Sequence, residues 1–159
     1  MAKEKESMTG RDQATDRQAA EYDLVTALLS AANYRDDITD FEIRRNGVYY
    51  FTVHIHPISQ DEARQARKQA TPTKKKRDGT LPEPNSTIFN SKIIYAATTE
   101  EDRQKIWGQS AVMQKFGLME PYESIDILLT MGEKSRLLDE VMNISGMNED
   151  DVDDETFQS

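Results

Sequence analysis

The segment 121–146 constrains the fold of this chain more than any other part of the sequence. Pro121 suits the first position of a helix, because its missing N–H would have no helical partner there. Apolar residues recur at helical spacing on both sides of Gly132, and Gly146 can adopt the left-handed conformation that often ends a helix. The pattern predicts two short helices joined at Gly132, which form an αα-hairpin. The apolar residues of these helices are Tyr122, Ile125, Leu128, Leu129, Leu137, Leu138, Val141 and Ile144.

The segment 39–58 has the clearest strand pattern, with alternating β-branched and aromatic residues around a central Asn46-Gly47. A two-residue turn at Asn46-Gly47 splits the apolar residues between two faces, whereas a three-residue loop over 45–47 gathers them on one face. Because a buried face selects its register, we predict the three-residue loop, a type I turn with Gly47 as the left-handed bulge residue. The residues that then share the buried face are Phe41, Ile43, Tyr49, Phe51, Val53 and Ile55.

Two further helices are predicted from periodicity and capping. Ser59 and Glu62 have the three-residue spacing of a capping box, which starts a helix that runs to about Ala70. Residues 20–33 place an apolar stripe on one side of another helix. The members of that stripe are Tyr22, Val25, Leu28, Leu29 and Ala32.

The segment 85–117 predicts a series of short helical pieces. Asn85-Ser86 can cap a segment that contains Ile88, Phe89, Ile93, Ile94, Ala96 and Ala97, and we predict a helix there, with a strand as the alternative. Thr99 resembles the cap of a second piece, which Gly108 ends. Residues 109–116 predict one more helical turn before the next glycine.

Composition separates one domain from two tails. Residues 1–19 carry small and charged side chains, and residues 148–159 hold six acids and no base, so neither segment can offset its ordering entropy by burial. We expect both tails to be disordered and residues 20–147 to form a single compact domain with a flexible basic loop at 71–85. The expected fold class is α+β: a small, mostly helical domain with one antiparallel β-hairpin and a C-terminal αα-hairpin.

The composition favours a binding protein over an enzyme. The 159 residues include no cysteine and two histidines, and no phosphate-binding loop or nucleophile elbow occurs. A net charge of −9 argues against general binding to duplex DNA. No apolar run approaches the roughly 18 residues of a membrane span, and the N-terminus lacks a signal-peptide core. We expect a soluble cytoplasmic protein with no catalytic residues, no cofactor and no metal.

Three polar clusters each allow a structural and a functional interpretation. His54 and His56 share a strand face, but a zinc site needs at least one more ligand, so a solvated face is favoured. The run Lys74–Arg77 is either a solvated loop or a contact for an acidic partner or RNA, although it has no aromatic residue for base stacking. The acidic tail 148–159 is solvated, shields a surface, mimics a partner or folds back on that basic run.

Methionines concentrate in the C-terminal half, where five of the six that follow the initiator lie within 113–147. Methionine is adaptable and suits apolar grooves that accept helices of a partner, and core packing is the alternative role. The candidate partner-binding residues are Trp107, Met113, Phe116, Met119 and Met131.

Residues 112–147 resemble the end of XkdN-like phage tail assembly chaperones. Sequences of that family end in four features, which follow one another in this order: a tyrosine-glycine step, a helix that starts near a proline, a leucine-rich step into Gly-Glu, and a final helix. The hairpin, with its Pro57-x-Ser59 step into a polar helix, extends the resemblance to about 33–147. The chain departs from the family where Thr130-Met131 precedes Gly132-Glu133. The matching residues are Phe116-Gly117, Pro121, Leu128-Leu129, Gly132-Glu133, Leu137-Leu138, Val141 and Ile144-Ser145-Gly146.

The resemblance implies a chaperone that binds the tape measure protein and keeps it soluble until tail tube subunits polymerise around it. It implies the tail tube protein as a second candidate partner, the cytoplasm of the bacterial host as the location, and absence from the mature virion. The alternatives are a nucleic-acid-linked regulator that uses Lys74–Arg77, a structural tail component, and a metal-dependent enzyme at His54 and His56. The chaperone role agrees with the acidic, methionine-rich composition.

Overall fold

A computed structural model describes residues 23–147 of the chain. The two predicted tails, 1–19 and 148–159, lie outside the described residues. The chain divides into two compact units, Met1–Asp36 and Asp37–Ser159. This boundary falls inside the region 20–147 that the sequence assigns to one compact domain.

In the first unit, a helix occupies residues 23–32 of the described chain (α1), and a 3-10 turn follows at Tyr34–Asp36. The predicted helix is therefore confirmed over these residues. Its apolar side chains are exposed by 56–63 %. The exposed members are Leu24, Val25, Leu28 and Leu29.

In the second unit, one antiparallel hairpin precedes a series of helices. This architecture is α+β and mostly helical, and it ends in the predicted αα-hairpin. The strands are β1 (Thr39–Arg45) and β2 (Val48–Ile55). The helices are α2 (Gln60–Ala70), α3 (Ser86–Ala97), α4 (Glu100–Asp102), a π-helix (Arg103–Trp107), α5 (Ser110–Phe116), a 3-10 turn (Pro121–Glu123), α6 (Ser124–Leu128) and α7 (Met131–Ile144).

The hairpin turn differs from the prediction. Arg45 pairs with Val48, so the loop has two residues, and Asn46 and Gly47 both have positive φ, of 53° and 78°, as a type I′ turn requires. The predicted three-residue type I turn is therefore wrong. The extra residue is a bulge at Tyr50, where the pairing steps from Arg44–Tyr49 to Ile43–Phe51.

The bulge restores the predicted buried face beyond the turn. Phe41 pairs with Val53 and Ile43 pairs with Phe51, so these side chains share one face with Ile55. Tyr49 was expected on that face, but it pairs with Arg44 on the other one. Its ring is 49 % exposed, its hydroxyl lies 2.7 Å from the Thr52 hydroxyl, and the Arg44 guanidinium covers it.

The predicted caps start three of the helices. Ser59 accepts from the backbone N–H of Glu62 at 3.2 Å, and the Glu62 carboxylate accepts from the Ser59 backbone, which completes the capping box of α2. Asn85 caps α3 and Thr99 caps α4. The helical interpretation of 86–97 is therefore confirmed over the strand alternative.

The break between α6 and α7 lies before the predicted glycine. Thr130 and Glu133 form a second capping box, with the Glu133 N–H 3.2 Å from the Thr130 hydroxyl and the Thr130 N–H 2.9 Å from a Glu133 oxygen. Gly132 therefore lies in the first turn of α7 rather than at the break. At the other end, Gly146 has φ 85° and follows the helix as predicted.

The core joins the inner face of the hairpin to α3, the π-helix and the C-terminal helices. Beyond the hairpin, the backbone continues against the end of α3, because the His56 N–H donates to the Ala97 carbonyl at 2.8 Å. The fully buried apolar residues include Val53, Ile55, Ile93, Ile94, Ala97, Trp107, Ile125, Leu137 and Val141.

Candidate functional site

The five candidate partner-binding residues fall into three environments. Trp107 is fully buried, so the expectation that it lines a surface is wrong for this residue. Met119 and Met131 are 85 % and 91 % exposed, and Phe116 is 49 % exposed. Met113 is half-buried on α5. The structure therefore leaves three of the five as large apolar side chains that face solvent.

Trp107 connects several elements of the core. Its indole N–H donates to the Thr98 hydroxyl at 2.9 Å, and its ring meets Phe51 edge-on with centroids 6.4 Å apart. The Trp107 carbonyl accepts from the Ser124 hydroxyl at 2.6 Å. One residue thus connects the hairpin, the end of α3 and the start of α6. A buried aromatic ring with a satisfied polar group is typical of a core residue.

The exposed candidates lie at helix ends. Phe116 ends α5, and Gly117 continues the chain with φ 62°. Met119 follows in the turn before Pro121, where its backbone N–H lies 3.4 Å from a Glu123 oxygen. Met131 occupies the first turn of α7 and borders a surface cavity of about 280 Å³ that Leu138 also lines.

A second cleft, of about 310 Å³, lies between α2 and the turn at Pro121. Two tyrosines line it: Tyr122, whose ring centroid is 4.1 Å from the Lys92 ammonium, and Tyr95, which Arg103 covers at 5.2 Å. Arg103 also donates to the Tyr95 carbonyl at 2.9 Å. The cations are therefore held by rings and carbonyls within the fold.

A partly buried ion pair, not predicted from the sequence, connects the hairpin turn to the αα-hairpin. Arg45 donates through Nε and Nη2 to the two oxygens of Glu133, at 3.0 and 2.8 Å, and through Nη2 to the Leu128 carbonyl at 2.7 Å. Glu133 is 3 % exposed. The Arg45 guanidinium and the Thr130 backbone lower the pKa of Glu133 to about 2 against the opposing effect of burial. The spacing of Thr130 and Glu133 in the sequence indicates a helix cap. No pattern among neighbouring residues indicates that Arg45 binds Glu133.

The two histidines have separate environments. The His54 ring lies 2.8 Å from the Asp102 carboxylate, which also accepts from the His54 backbone N–H at 2.7 Å. His56 is only 9 % exposed, with Nδ1 2.9 Å from the Pro57 carbonyl, so the predicted shared solvated face is wrong for His56. Its burial follows from the chain leaving the strand after Ile55.

Over residues 23–147, no cluster of three histidine or acidic side chains could hold a metal ion. In the same range, none of the helices combines the length and the apolarity that a bilayer crossing demands.

The sequence model of phage XkdN-like tail assembly chaperone proteins matches residues 25–156, which is most of the chain. The chain belongs to this family. The match spans the hairpin, all of the helices from α2 to α7 and the exposed methionines. The resemblance inferred from residues 33–147 is therefore confirmed, and the family is one of tail assembly chaperones.

Two other comparisons add little to the family assignment. A search of curated proteins found no significant match. A crystal structure of the protein yqbn is similar to the chain at 16 % sequence identity and a TM-score of 0.46, and the alignment covers 70 % of this chain and 88 % of that one.

Proposed function

We propose that this tail assembly chaperone binds the tape measure protein of its phage and keeps it soluble until tail tube subunits assemble around it. The observation that carries the proposal is the family match over residues 25–156. A chaperone of tail assembly acts on protein partners, and a long helical client presents apolar faces that need cover before assembly. The tail tube protein is the second partner we propose.

The exposed apolar side chains at the ends of α5 and α7 support this proposal. Met119 and Met131 are 85 % and 91 % exposed, so they contribute little to core packing and remain available to a partner. Their flexible thioethers adapt to varied helix surfaces. We propose Phe116, Met119 and Met131 as the contact residues, and Met113 is half-buried on α5.

The net charge of −9 is consistent with a solubilising role, because like charge on a complex opposes its self-association. We further propose that the chaperone works without catalysis or a cofactor. It would act in the cytoplasm of the bacterial host and be absent from the mature virion.

Co-expression with the tape measure protein of the same phage tests the function. We expect the client to move from the insoluble to the soluble fraction when the chaperone is present, and to co-purify through a tag on the chaperone. An insoluble client with nothing retained would contradict the proposal. Detection of the chain in finished particles would favour a structural tail component instead.

The double variant Met119→Asp, Met131→Asp is expected to abolish solubilisation of the client and leave the fold intact. Two carboxylates in an apolar contact would lose their hydration on binding, which costs several kcal/mol, or about 100-fold or more in affinity. Folding should be unaffected, because both side chains are exposed. An acid in the first turn of α7 also interacts favourably with the helix dipole. Client solubility and circular dichroism are the two measurements.

Leu81→Asp is the matched control, because Leu81 is 75 % exposed and lies in the loop between α2 and α3. This variant should solubilise the client as the native chain does. Equal loss of activity in Leu81→Asp would indicate that any added acid disrupts the complex. Full activity of the double methionine variant would show that the contact surface lies elsewhere on the chain.

A further inference from the structure

The basic run Lys74–Arg77 lies in the loop between α2 and α3. The Asn85 N–H donates to the Ala70 carbonyl at 2.8 Å, which closes the segment between α2 and α3 at its base. Near its tip, Thr80 donates from its backbone and its hydroxyl to the Asp78 carboxylate, at 3.0 and 2.6 Å. These two hydrogen bonds lower the pKa of Asp78. The loop therefore presents its charges from a defined backbone.

The four cations of this run are exposed, and within residues 23–147 their side chains form no ion pair or hydrogen bond. Several other surface cations of the described chain are paired. Lys134 meets Asp126 at 2.6 Å, and Lys105 pairs with Glu101 one helical turn away. Four adjacent unpaired cations create a concentrated positive field on an acidic protein.

We infer that the acidic segment 148–159 of the same chain docks on Lys74–Arg77. The segment supplies six acids and no base, whereas residues 1–20 balance four bases with four acids. The charges of the loop and the C-terminal segment are therefore complementary. The loop carries no aromatic residue among its cations that would stack on bases, so a nucleic acid fits it less well.

The chain length allows this contact within one molecule. The Ile58 N–H donates to the Ser145 hydroxyl at 3.0 Å, so the end of α7 lies beside the start of α2. Helix α2 has 11 residues, which span about 16 Å, and the basic loop follows it directly. The 12 residues after Met147 reach up to about 40 Å when extended. The acidic segment is therefore long enough to cover the loop.

This contact gives the C-terminal segment a defined role. By covering Lys74–Arg77 it prevents the loop from attracting polyanions such as cellular RNA, and a partner with acidic groups would have to displace it. The role is independent of the proposed client surface, since Met119 and Met131 lie outside the loop.

Zero-length carbodiimide cross-linking of the full chain tests the contact, with peptides identified by mass spectrometry. The reagent joins a lysine amine to a carboxylate, with loss of water, where the two are in contact. We expect cross-links from Lys74, Lys75 or Lys76 to acids of 148–159 at low salt. They should disappear at about 1 M salt, where the Debye length is about 3 Å. Lys115, exposed on α5, is the internal control and should stay unlinked to that segment.

Three results would overturn the inference. The first is cross-linking of the segment to Lys115 as often as to the loop. The second is cross-linking of the segment to Lys3 or Lys5 in place of the loop. The third is cross-links found only between two copies, detected when a nitrogen-15-labelled chain is mixed with an unlabelled one.

A variant without carboxylates in the segment provides an independent readout, with a labelled DNA duplex as a polyanion probe. We expect the variant to bind this probe about tenfold or more tightly than the native chain, with a log–log salt slope near −4 for four cations. Replacing Lys74–Arg77 by glutamine in the same background should remove the gain. Equal binding by the native and neutralised chains, or a gain that survives loss of the loop cations, would overturn the inference. The neutralised variant is Glu149→Gln, Asp150→Asn, Asp151→Asn, Asp153→Asn, Asp154→Asn, Glu155→Gln.

Discussion

Replacing Trp107 by alanine is expected to lower the free energy of unfolding by about 3–5 kcal/mol, the usual cost of emptying a fully buried aromatic site. Most of this loss comes from apolar burial and the cavity, because the hydrogen bond to Thr98 contributes only about 1 kcal/mol. The total free energy of unfolding of a native protein is about 5–15 kcal/mol. The variant should therefore unfold at a temperature lower by about 10–20 °C, measured by thermal denaturation.

Trp107→Phe separates packing from hydrogen bonding. It keeps an aromatic ring against Phe51 and removes the donor to Thr98, so we expect a loss of about 1–2 kcal/mol. Retained stability in Trp107→Ala would contradict the core role and return Trp107 to the candidate contact surface. The methionine variants should show no such loss, since their side chains are exposed.

Features that depend on neighbouring residues were predictable from the sequence. A capping box spans four residues, so Ser59 and Glu62 located the start of α2 correctly. Asn85 and Thr99 did the same for α3 and α4. Thr130-x-x-Glu133 carries the same signal, and giving it priority over Gly132 would have placed the start of α7 correctly. Glycine alone is a weaker marker, because it is tolerated in a first helical turn.

The hairpin shows what an alternating pattern leaves open. Gathering Ile43 and Phe51 on one face requires one extra residue between them, but the pattern does not say where it lies. A three-residue loop and a two-residue turn followed by a bulge bury the same side chains. The Asn46-Gly47 pair favours the two-residue turn, because both residues adopt positive φ. The bulge then fell at Tyr50.

Features that depend on distant residues could not be predicted from the sequence. Arg45 and Glu133 are 88 positions apart, and an arginine beside a hairpin turn usually belongs to the solvated surface. The burial of Trp107 is a similar case, because an aromatic residue near methionines is equally typical of a groove and of a core. The exposed fraction of each side chain therefore determines which candidate site residues remain on the surface. That fraction is known only from the folded structure.

The Arg45–Glu133 ion pair is expected to make stability depend on pH in the acid range. The pKa of Glu133 is lowered from 4.5 to about 2 in the folded chain, so the unfolded chain binds the proton first as the pH falls. The stabilisation is complete above about pH 4.5 and disappears as the pH falls to about 2. Arg45 is 36 % exposed, and with this screening we expect a contribution of about 2 kcal/mol.

Glu133→Gln tests this expectation, because glutamine keeps the shape and the capping oxygen and removes the charge. At neutral pH the variant should be less stable by about 2 kcal/mol, and the difference from the native chain should shrink towards zero near pH 2. Denaturant unfolding at a series of pH values measures it. Glu42→Gln is the matched control, since Glu42 pairs with Arg44 at 2.8 Å on the exposed strand face and should change stability by less than about 0.5 kcal/mol. A difference for Glu133→Gln that stays constant down to pH 2 would assign the loss to packing, and the ion pair would then have no part in joining the hairpin to α7.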